Sequence, residues 1–273
     1  MRYRRTGKII LNIFLWMLSL LILIPIYFAV INSMKTQKEA GLMNISFPTV
    51  WMGIENYSKM LEIGNIMSSF RNSIVITTIS VFIVIIASSM LAFVIVRRKS
   101  PFSTGLNTMV ILGMVFPLQI IPTYFVCRYL HLGNIPSAIC VLTVCNLSFS
   151  TFLYIGYAKS IPREIDESAW MDGAGQLTLF FRVIFPLMKP VTVTSLIITS
   201  MSVWNDFGVS IYFLNNSRNM TLPLTIYNFY GSYNSNWELI FADVIIASLP
   251  VAVLYLFLQR YIISGMTAGA VKG

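Results

Sequence analysis

The stretch Ser73-Ile-Val-Ile-Thr-Thr-Ile-Ser-Val-Phe-Ile-Val-Ile-Ile-Ala-Ser-Ser-Met-Leu-Ala-Phe-Val-Ile-Val96 carries no charged side chain and is followed at once by Arg97, Arg98 and Lys99. An apolar helix of about 20 residues is long enough to cross the ~30 Å hydrocarbon core of a bilayer. A soluble domain keeps roughly a quarter of its residues charged. In this chain of 273 residues only 11% are charged and 56% are hydrophobic. The stretch therefore predicts one span of a polytopic membrane protein.

Apolar stretches of this kind recur along the chain and predict six spans. Each must be helical, because an open strand in lipid would leave its backbone polar groups unpaired. The expected fold class is all-α, with one transmembrane domain over residues 1–273. The predicted spans are Ile9–Ile31, Ser73–Val96, Leu106–Val126, Pro136–Ala158, Val183–Val203 and Leu239–Gln259.

The basic N-terminus, Met1 to Lys8, followed by the apolar run from Ile9 to Ile31, also resembles a signal peptide. The run is long, however, and no A-x-A-like cleavage site follows it. We therefore expect an uncleaved first span. Between the first two spans, a short helix is expected around Glu55–Glu62.

The distribution of Lys and Arg predicts the orientation in the membrane. With a cytoplasmic N-terminus, 13 of these residues lie inside and 6 outside, out of the 19 in the chain. Inner loops of membrane proteins carry the excess of basic residues. We therefore expect both termini in the cytoplasm, a cytoplasmic loop over residues 159–182, and a cytoplasmic C-terminal tail over residues 260–273.

Few residues suit metal or nucleotide chemistry. The three cysteines, Cys127, Cys140 and Cys145, have no metal-like spacing and are interpreted as packing residues, although a Cys140–Cys145 disulfide stays open. His131 is alone and lies in a short loop. The chain has no G-x-x-x-x-G-K-[ST] phosphate loop, so it is not expected to bind ATP in the usual way. These observations argue against an enzyme and against a cofactor bound by this chain.

Asp243 is an acidic residue inside the predicted sixth span. Such a residue is a functional candidate by default. It lies within a turn or two of the expected outer surface, where a structural hydrogen bond would also explain it. A structural or interface role is the preferred interpretation.

The loop Ile161-Pro-Arg-Glu-Ile-Asp-Glu-Ser-Ala-Trp-Met-Asp-Gly-Ala-Gly175 differs from the rest of the chain. Pro162 suits a helix start, and acidic residues in the following turns favour the positive end of a helix. Gly173 and Gly175 permit a sharp stop. The pattern predicts a short amphipathic helix, a turn, and a second helix that leads into the fifth span. By physics alone, a capped interfacial helix without further function explains it equally well.

The same loop resembles the EAA loop of ABC importer permeases, which reads E-A-A, three residues, G, nine residues, I-x-L-P. Glu167, Ser168 and Ala169 occupy the triplet, Gly173 follows at the right spacing, and Val183-Ile184-Phe185-Pro186 comes nine residues later. Ser168, Val183 and Phe185 depart conservatively from the pattern. Its place between the fourth and fifth of six spans makes the resemblance specific.

Further segments are similar to the carbohydrate-uptake branch of these permeases, of the maltose-type second permease. They are the run from Pro162 to Ala174, Trp204-Asn205-Asp206-Phe207, Thr221-Leu222-Pro223, and the C-terminal Gly265-Met-Thr-Ala-Gly-Ala-Val-Lys-Gly273. The resemblance covers nearly the whole chain. It implies the type I permease architecture in the bacterial inner membrane and import of a sugar or small oligosaccharide.

The resemblance also implies partners: an ATPase in two copies that holds ATP and Mg, an external solute-binding protein, and a second homologous permease that forms a heterodimer with this chain. The coupling residues that it implies are Glu164, Glu167, Ser168, Ala169, Asp172, Gly173 and Pro186, and the tail residues that would touch the ATPase are Gly265, Thr267, Gly269 and Lys272. Substrate residues are not identified. The alternatives are a permease for a solute such as a sugar phosphate, or an ion-coupled carrier in which the loop would have no role.

Overall fold

A computed structural model of the protein describes the backbone of residues 3–231 and 235–270, and the side chains of residues 8, 11–231 and 235–257. Its described residues form helices joined by short connections. In chain order these are α1 (Tyr3–Ser33), α2 (Gln37–Ala40), α3 (Gly53–Ile63), α4 (Ile66–Arg97), α5 (Pro101–Val115), α6 (Ile120–Tyr129), α7 (Asn134–Ala158), α8 (Glu164–Met171), α9 (Gln176–Thr178), a π-helical turn (Leu179–Ile184), α10 (Phe185–Leu187), α11 (Lys189–Trp204), α12 (Gly208–Phe213), a 3-10 helix (Leu222–Asn228) and α13 (Trp237–Ala270). The all-α prediction is confirmed.

Four helices are long and apolar enough to cross a membrane among the residues that the structure describes: Leu11–Ser33, Ile66–Arg97, Asn134–Ala158 and Trp237–Phe257. They correspond to the first, second, fourth and sixth predicted spans. The apolar side chains of α1 are exposed from Leu11 to Ile26, as expected for a helix whose solvent is lipid. The short helix expected around Glu55–Glu62 is α3.

The predicted third span is wrong as a single helix. The structure divides Leu106–Val126 between α5, which is 15 residues long and too short by itself to span, and α6. The chain leaves the helix at Phe116, whose backbone is extended (φ −78°, ψ 122°). Pro117 explains this break, because the residue before a proline is disfavoured in the helical region. A total of six crossings is compatible with the helices if α5 and α6 together make one.

The fifth predicted span, Val183–Val203, is bent. Gln176–Leu187 and Lys189–Trp204 meet at 77°, and together they would make a fifth span. The break lies at Met188 (φ −79°, ψ 5°), after which Lys189 and Pro190 start α11. Proline is well suited to a first helical turn, where its missing N–H costs nothing. The bend therefore has a local cause in the sequence.

The helix that contains the sixth predicted span extends further than predicted. α13 continues beyond Gln259 to Ala270, so the expected tail over residues 260–273 is helical in backbone as far as the structure describes it. Gly265, Thr267 and Gly269 lie on this extension. Lys272 falls outside the described residues.

By its internal contacts, the chain divides into two compact units. The first comprises the chain up to Met67 together with Thr225–Leu249. In it, the buried Lys35 Nζ donates to Asn32 Oδ1 at 3.1 Å and to both the carbonyl and Oδ1 of Asn44 at 2.8 Å. Burial lowers the pKa of the Lys35 ammonium, while nearby Glu39 opposes this. The loop after α1 thus folds around the Lys35 ammonium group, which donates hydrogen bonds to Asn32 and Asn44.

Asp243 also belongs to the first unit. It is buried, and the Thr225 hydroxyl donates one bifurcated hydrogen bond to its two carboxylate oxygens, at 2.9 and 3.0 Å. This contact fastens the 3-10 helix to α13. It supports the structural interpretation of this acidic residue, since a buried carboxylate needs a donor.

The second unit comprises Ser68–Leu224 together with the chain from Pro250 onward and contains two apolar clusters. One joins α4, α6, α7, α11 and α12, with Ile76, Leu142 and Phe213 among its members. The other joins α4 and α7 to the segment after α7, with Ala92, Tyr154 and Ala169 among its members. The second cluster positions the loop on which the sequence resemblance rests.

Candidate functional site

The helix predicted in the cytoplasmic loop is α8, from Glu164 to Met171. Its first turn carries Glu164, Asp166 and Glu167, which favour the positive end of the helix. Pro162, expected at the helix start, lies two residues ahead of it. The helix has two distinct faces. Asp166 and Ala169 are buried, whereas Glu164, Glu167 and Ser168 are exposed at a helical spacing that places them on one side.

The buried face of α8 is held by an ion pair with the end of α4. Arg97 Nε lies 2.6 Å from Asp166 Oδ2, and Arg97 Nη2 donates to Asp166 Oδ1 at 3.1 Å. The two side chains are 12% and 6% exposed, so water screens the pair little. A two-pronged arginine–carboxylate contact fixes orientation as well as distance. We name this pair the α4–α8 clamp.

Backbone contacts reinforce the clamp. Arg97 also donates from Nη1 to the Ile161 carbonyl at 3.1 Å, and Arg163 Nη2 donates to the Val96 carbonyl at 3.4 Å. The residues that enter α8 are thereby tied to the last turn of a membrane span. A displacement of α8 must therefore act on α4.

The turn after α8 is a Schellman motif. Gly173 has φ +79°, its N–H donates to the Trp170 carbonyl at 2.9 Å, and the Ala174 N–H donates to the Ala169 carbonyl at 2.9 Å. The left-handed backbone explains why glycine occupies this position. Gly175 has φ −72° and leads into α9, so it needs no such freedom. The predicted stop is confirmed at Gly173.

Beyond the turn, the chain re-enters the bundle through the π-helical turn. Phe180 is buried there, with its ring centroid 5.4 Å from that of Phe93 on α4 and 4.9 Å from that of Phe181. Pro186 follows in α10, exposed, just before the 77° bend. The segment from α8 to α11 thus contacts α4 at both the clamp and the aromatic cluster.

The structure does not gather all of the predicted coupling residues on one surface. Glu164, Glu167, Ser168 and Asp172 are exposed on or beside α8, but Ala169 packs inward against the apolar cluster. Pro186 lies beyond the π-helical turn. Two exposed apolar side chains outside the predicted set, Trp170 at 57% and Met171 at 88%, extend the exposed surface.

The clamp is not predicted by the sequence pattern. In that pattern Arg97 indicates only the orientation of its span, and Asp166 is only an acid at a helix start. The available signal was Arg97 itself, the first cation after a span. Its partner lies 69 residues away in sequence, and no local pattern joins the two.

Other residues selected from the sequence have structural roles. Asp206, in the Trp204–Phe207 segment, accepts from the Ser210 N–H at 2.9 Å and Oγ at 3.0 Å and so caps α12. All three cysteines are free, so the Cys140–Cys145 disulfide is absent. Among the described residues no group of three His, Cys, Asp or Glu side chains could hold a metal ion.

The long apolar helices and the bent fifth span define a multi-pass helical membrane protein with a docked loop between its fourth and fifth spans. Residues 84–268 match the family described as binding-protein-dependent transport system inner membrane component. The chain belongs to this family. It is therefore an inner-membrane transport component rather than an enzyme, and it functions with a solute-binding protein.

Curated relatives match over nearly the full length. The melibiose/raffinose/stachyose import permease protein MelC of Bacillus subtilis is 34% identical, over 92% of this chain and 91% of the relative. The multiple sugar-binding transport system permease protein MsmG of Streptococcus mutans is 36% identical, over 93% of each. Among solved structures, a bacterial ABC transporter involved in alginate import has a TM-score of 0.81 with 20% identity, over 96% of this chain and 98% of that chain. This last similarity supports the fold alone.

Proposed function

We propose that this chain is the permease subunit of an ATP-driven importer that moves a sugar or small oligosaccharide into the cell. The support for a carbohydrate is that the two relatives described above are named for sugar uptake and cover more than nine-tenths of the chain. The support for ATP-driven coupling is the structure of α8.

The observation that carries the proposal is that α8 presents an acidic and apolar exposed face while its other face is clamped to a membrane span. On this exposed face, Trp170 and Met171 lie beside Glu167. Large apolar side chains flanked by charge are typical of a protein interface. We infer that this face sits in a groove of the ATPase subunit, with Glu167 paired to a basic residue there.

The clamp gives the coupling a route into the membrane. When ATP closes the ATPase dimer, α8 moves with its partner, and the Arg97–Asp166 pair transmits the movement to α4. The movement of α8 also reaches the bent fifth span, through the Schellman turn and the π-helical turn that connect the two. The result is a population shift of the spans between inward-facing and outward-facing states, driven by differential contacts with the partner.

The proposed assembly contains a second homologous permease subunit, two ATPase subunits that hold ATP and Mg, and the external solute-binding protein. Both termini of this chain are then cytoplasmic, and the whole chain acts as one permease domain. The C-terminal residues Gly265, Thr267, Gly269 and Lys272 touch the ATPase in this arrangement.

The test is the charge reversal Glu167→Lys, assayed in the assembled transporter. Because Glu167 is exposed and outside the clamp, the variant should insert and fold normally but lose binding-protein-stimulated ATP hydrolysis and solute uptake at least about tenfold. The matched control is Glu62→Lys, which reverses an exposed acid on α3.

Uptake of labelled melibiose, raffinose and maltose oligosaccharides tests the substrate class in the same membranes.

Wild-type uptake and ATPase stimulation in Glu167→Lys would contradict the coupling role of α8. Failure of the wild-type transporter to take up any sugar, together with uptake of another small solute, would contradict the carbohydrate assignment while leaving coupling intact. The two parts of the proposal can therefore fail separately.

A further inference from the structure

A cleft of about 500 Å³ lies where α4 ends, α5 begins and α7 ends. Its polar lining includes three cationic side chains, Arg98, Lys99 and Lys159. Ser100, Thr104 and Asn107 add hydroxyl and amide groups to the same lining. No acidic side chain is among the residues that line it.

The three cations are exposed. Within the described part of the chain, they have no carboxylate partner. The ion pair found there is the neighbouring Arg97–Asp166 clamp, which involves none of these three side chains. Three like charges around one cleft repel each other unless an anion enters. The cleft therefore favours an anionic ligand.

The attraction for an anion does not come from the backbone N–H groups at the start of α5. The Ser103 N–H already donates to Ser100 Oγ, and the Ser100 N–H donates to Ser103 Oγ, in a closed capping box. These backbone donors are occupied within the helix itself. The side-chain cations are what makes the cleft positive.

The position of the cleft indicates which anion is at hand. The spans Ile66–Arg97 and Asn134–Ala158 both end at its edge, so it lies at the level where hydrocarbon gives way to phospholipid headgroups. Ile95, Val96 and Ile155 form its apolar wall on the side of the spans. On α5, Phe102 and Met109 are each 69% exposed and suit contact with acyl chains.

We propose that this cleft binds the phosphate of an anionic phospholipid headgroup. Basic pockets between membrane helices bind such headgroups by charge, and polar hydroxyls nearby add hydrogen bonds. The Lys and Arg distribution of the chain predicts that the cleft lies in the cytoplasmic leaflet. The proposal does not depend on the transported solute.

The bound headgroup would lie directly against the α4–α8 clamp. Val96 lines the cleft, and its carbonyl accepts the hydrogen bond from Arg163. Arg97, which holds Asp166, is adjacent to Arg98 in the chain. Anionic lipid thus stabilises the end of α4 at the point where α8 is attached.

The experiment uses the full chain in phosphatidylcholine nanodiscs that contain a trace of fluorescent phosphatidylglycerol, with energy transfer from a protein label as readout. The test variant is Arg98→Gln, Lys99→Gln, Lys159→Gln. The matched control is Arg71→Gln, Arg128→Gln, Arg218→Gln, which removes the same charge from exposed arginines elsewhere. Each cation near an anionic surface contributes roughly a fivefold preference. We expect the test variant to lose at least about tenfold in phosphatidylglycerol affinity and the control to stay within about twofold.

Equal lipid affinity in the test variant and the control would overturn the proposal. Displacement of the lipid by millimolar inorganic phosphate would also overturn it, because the source would then be a soluble phosphate. Loss of ATPase binding with unchanged lipid affinity would assign the cleft to a protein surface instead. Should the triple variant fail to fold, the single reversal Lys159→Glu serves in its place and must still lower lipid affinity at least about fivefold.

Discussion

At the scale of single residues, the α4–α8 clamp is the contact on which the candidate site depends. The site combines an exposed face that can meet a partner with a buried face that cannot move independently of α4. The second property rests on one arginine and one aspartate, 12% and 6% exposed. Burial of such a pair costs desolvation, so its value is specificity of position more than net stability.

The clamp predicts an asymmetry between single and double substitutions. Asp166→Asn leaves Arg97 buried without its counter-charge and should cost roughly 3 kcal/mol of stability, along with most of the uptake activity. The double variant Arg97→Met, Asp166→Leu removes both charges. It should be much more stable than Asp166→Asn, but it should not recover the coupling. Thermal unfolding in detergent and uptake in vesicles measure the two effects. The neighbouring exposed substitution Glu167→Gln is the stability control, and an Asp166→Asn variant that unfolds with the wild type would show that the clamp is unimportant.

A second residue-scale prediction concerns pH and the loop after α1. Thr49 donates to Glu39 from both its hydroxyl and its N–H, and these bonds lower the pKa of Glu39 below its ordinary value of 4.5. A depressed carboxylate pKa stabilises the folded form above pH 4.5, and that contribution is lost as the pH falls through the folded pKa. Thr49→Val should therefore weaken the loss of stability on acidification, measured as melting temperature against pH, whereas Thr49→Ser should behave as the wild type. Identical pH profiles for Thr49→Val and Thr49→Ser would refute the role of the hydroxyl.

At the scale of elements, the close approach of α5 to α7 holds the first half of the divided third span. A Cβ added at Gly113 would overlap Ser148 Oγ and lie 3.3 Å from Ser148 Cβ. Small residues permit such approach between membrane helices. Gly105, on the same helix, has nothing within 4 Å.

These two glycines make a matched pair for mutation. Gly113→Val should cost about 1–3 kcal/mol by overpacking, because the hydroxyl of Ser148 can rotate away but its Cβ cannot. Gly105→Val should be neutral or slightly stabilising. Thermal unfolding of the two variants in the same detergent provides the comparison, and equal stability would mean that α5 packs less closely on α7 than the structure indicates.

At the scale of the whole molecule, the orientation in the membrane is a prediction from the Lys and Arg distribution. It can be checked by labelling with a membrane-impermeant maleimide in a background without native cysteines. Met171→Cys, at a position 88% exposed, should react only in inverted vesicles from cells that lack the ATPase, because the proposed interface would otherwise cover this position. Tyr129→Cys, at a position 82% exposed, should react only in intact cells or right-side-out vesicles. The reverse pattern would place α8 outside the cell and remove the basis for ATPase coupling.

The sequence by itself determined that this protein lies in a lipid bilayer, and it determined most of the helices. Charge-free stretches such as Ser73–Val96 can be stable only as helices in lipid, and Gly173 with the acidic residues before it determined a short helix with a left-handed stop. These features are local, so the pattern of residues is enough to read them. The predicted span Leu106–Val126, which the structure divides into two helices, contained its own signal in Pro117.

Only the tertiary structure decided which side of α8 is exposed and what holds the other side. Arg97 and Asp166 meet across 69 residues, and Ala169 faces a cluster built from α4 and α7. Likewise, Arg98, Lys99 and Lys159 come from the ends of two spans and form one cationic cleft only when those helices pack together. A contact between distant segments depends on the path of the chain between them, which no local spacing of residues encodes.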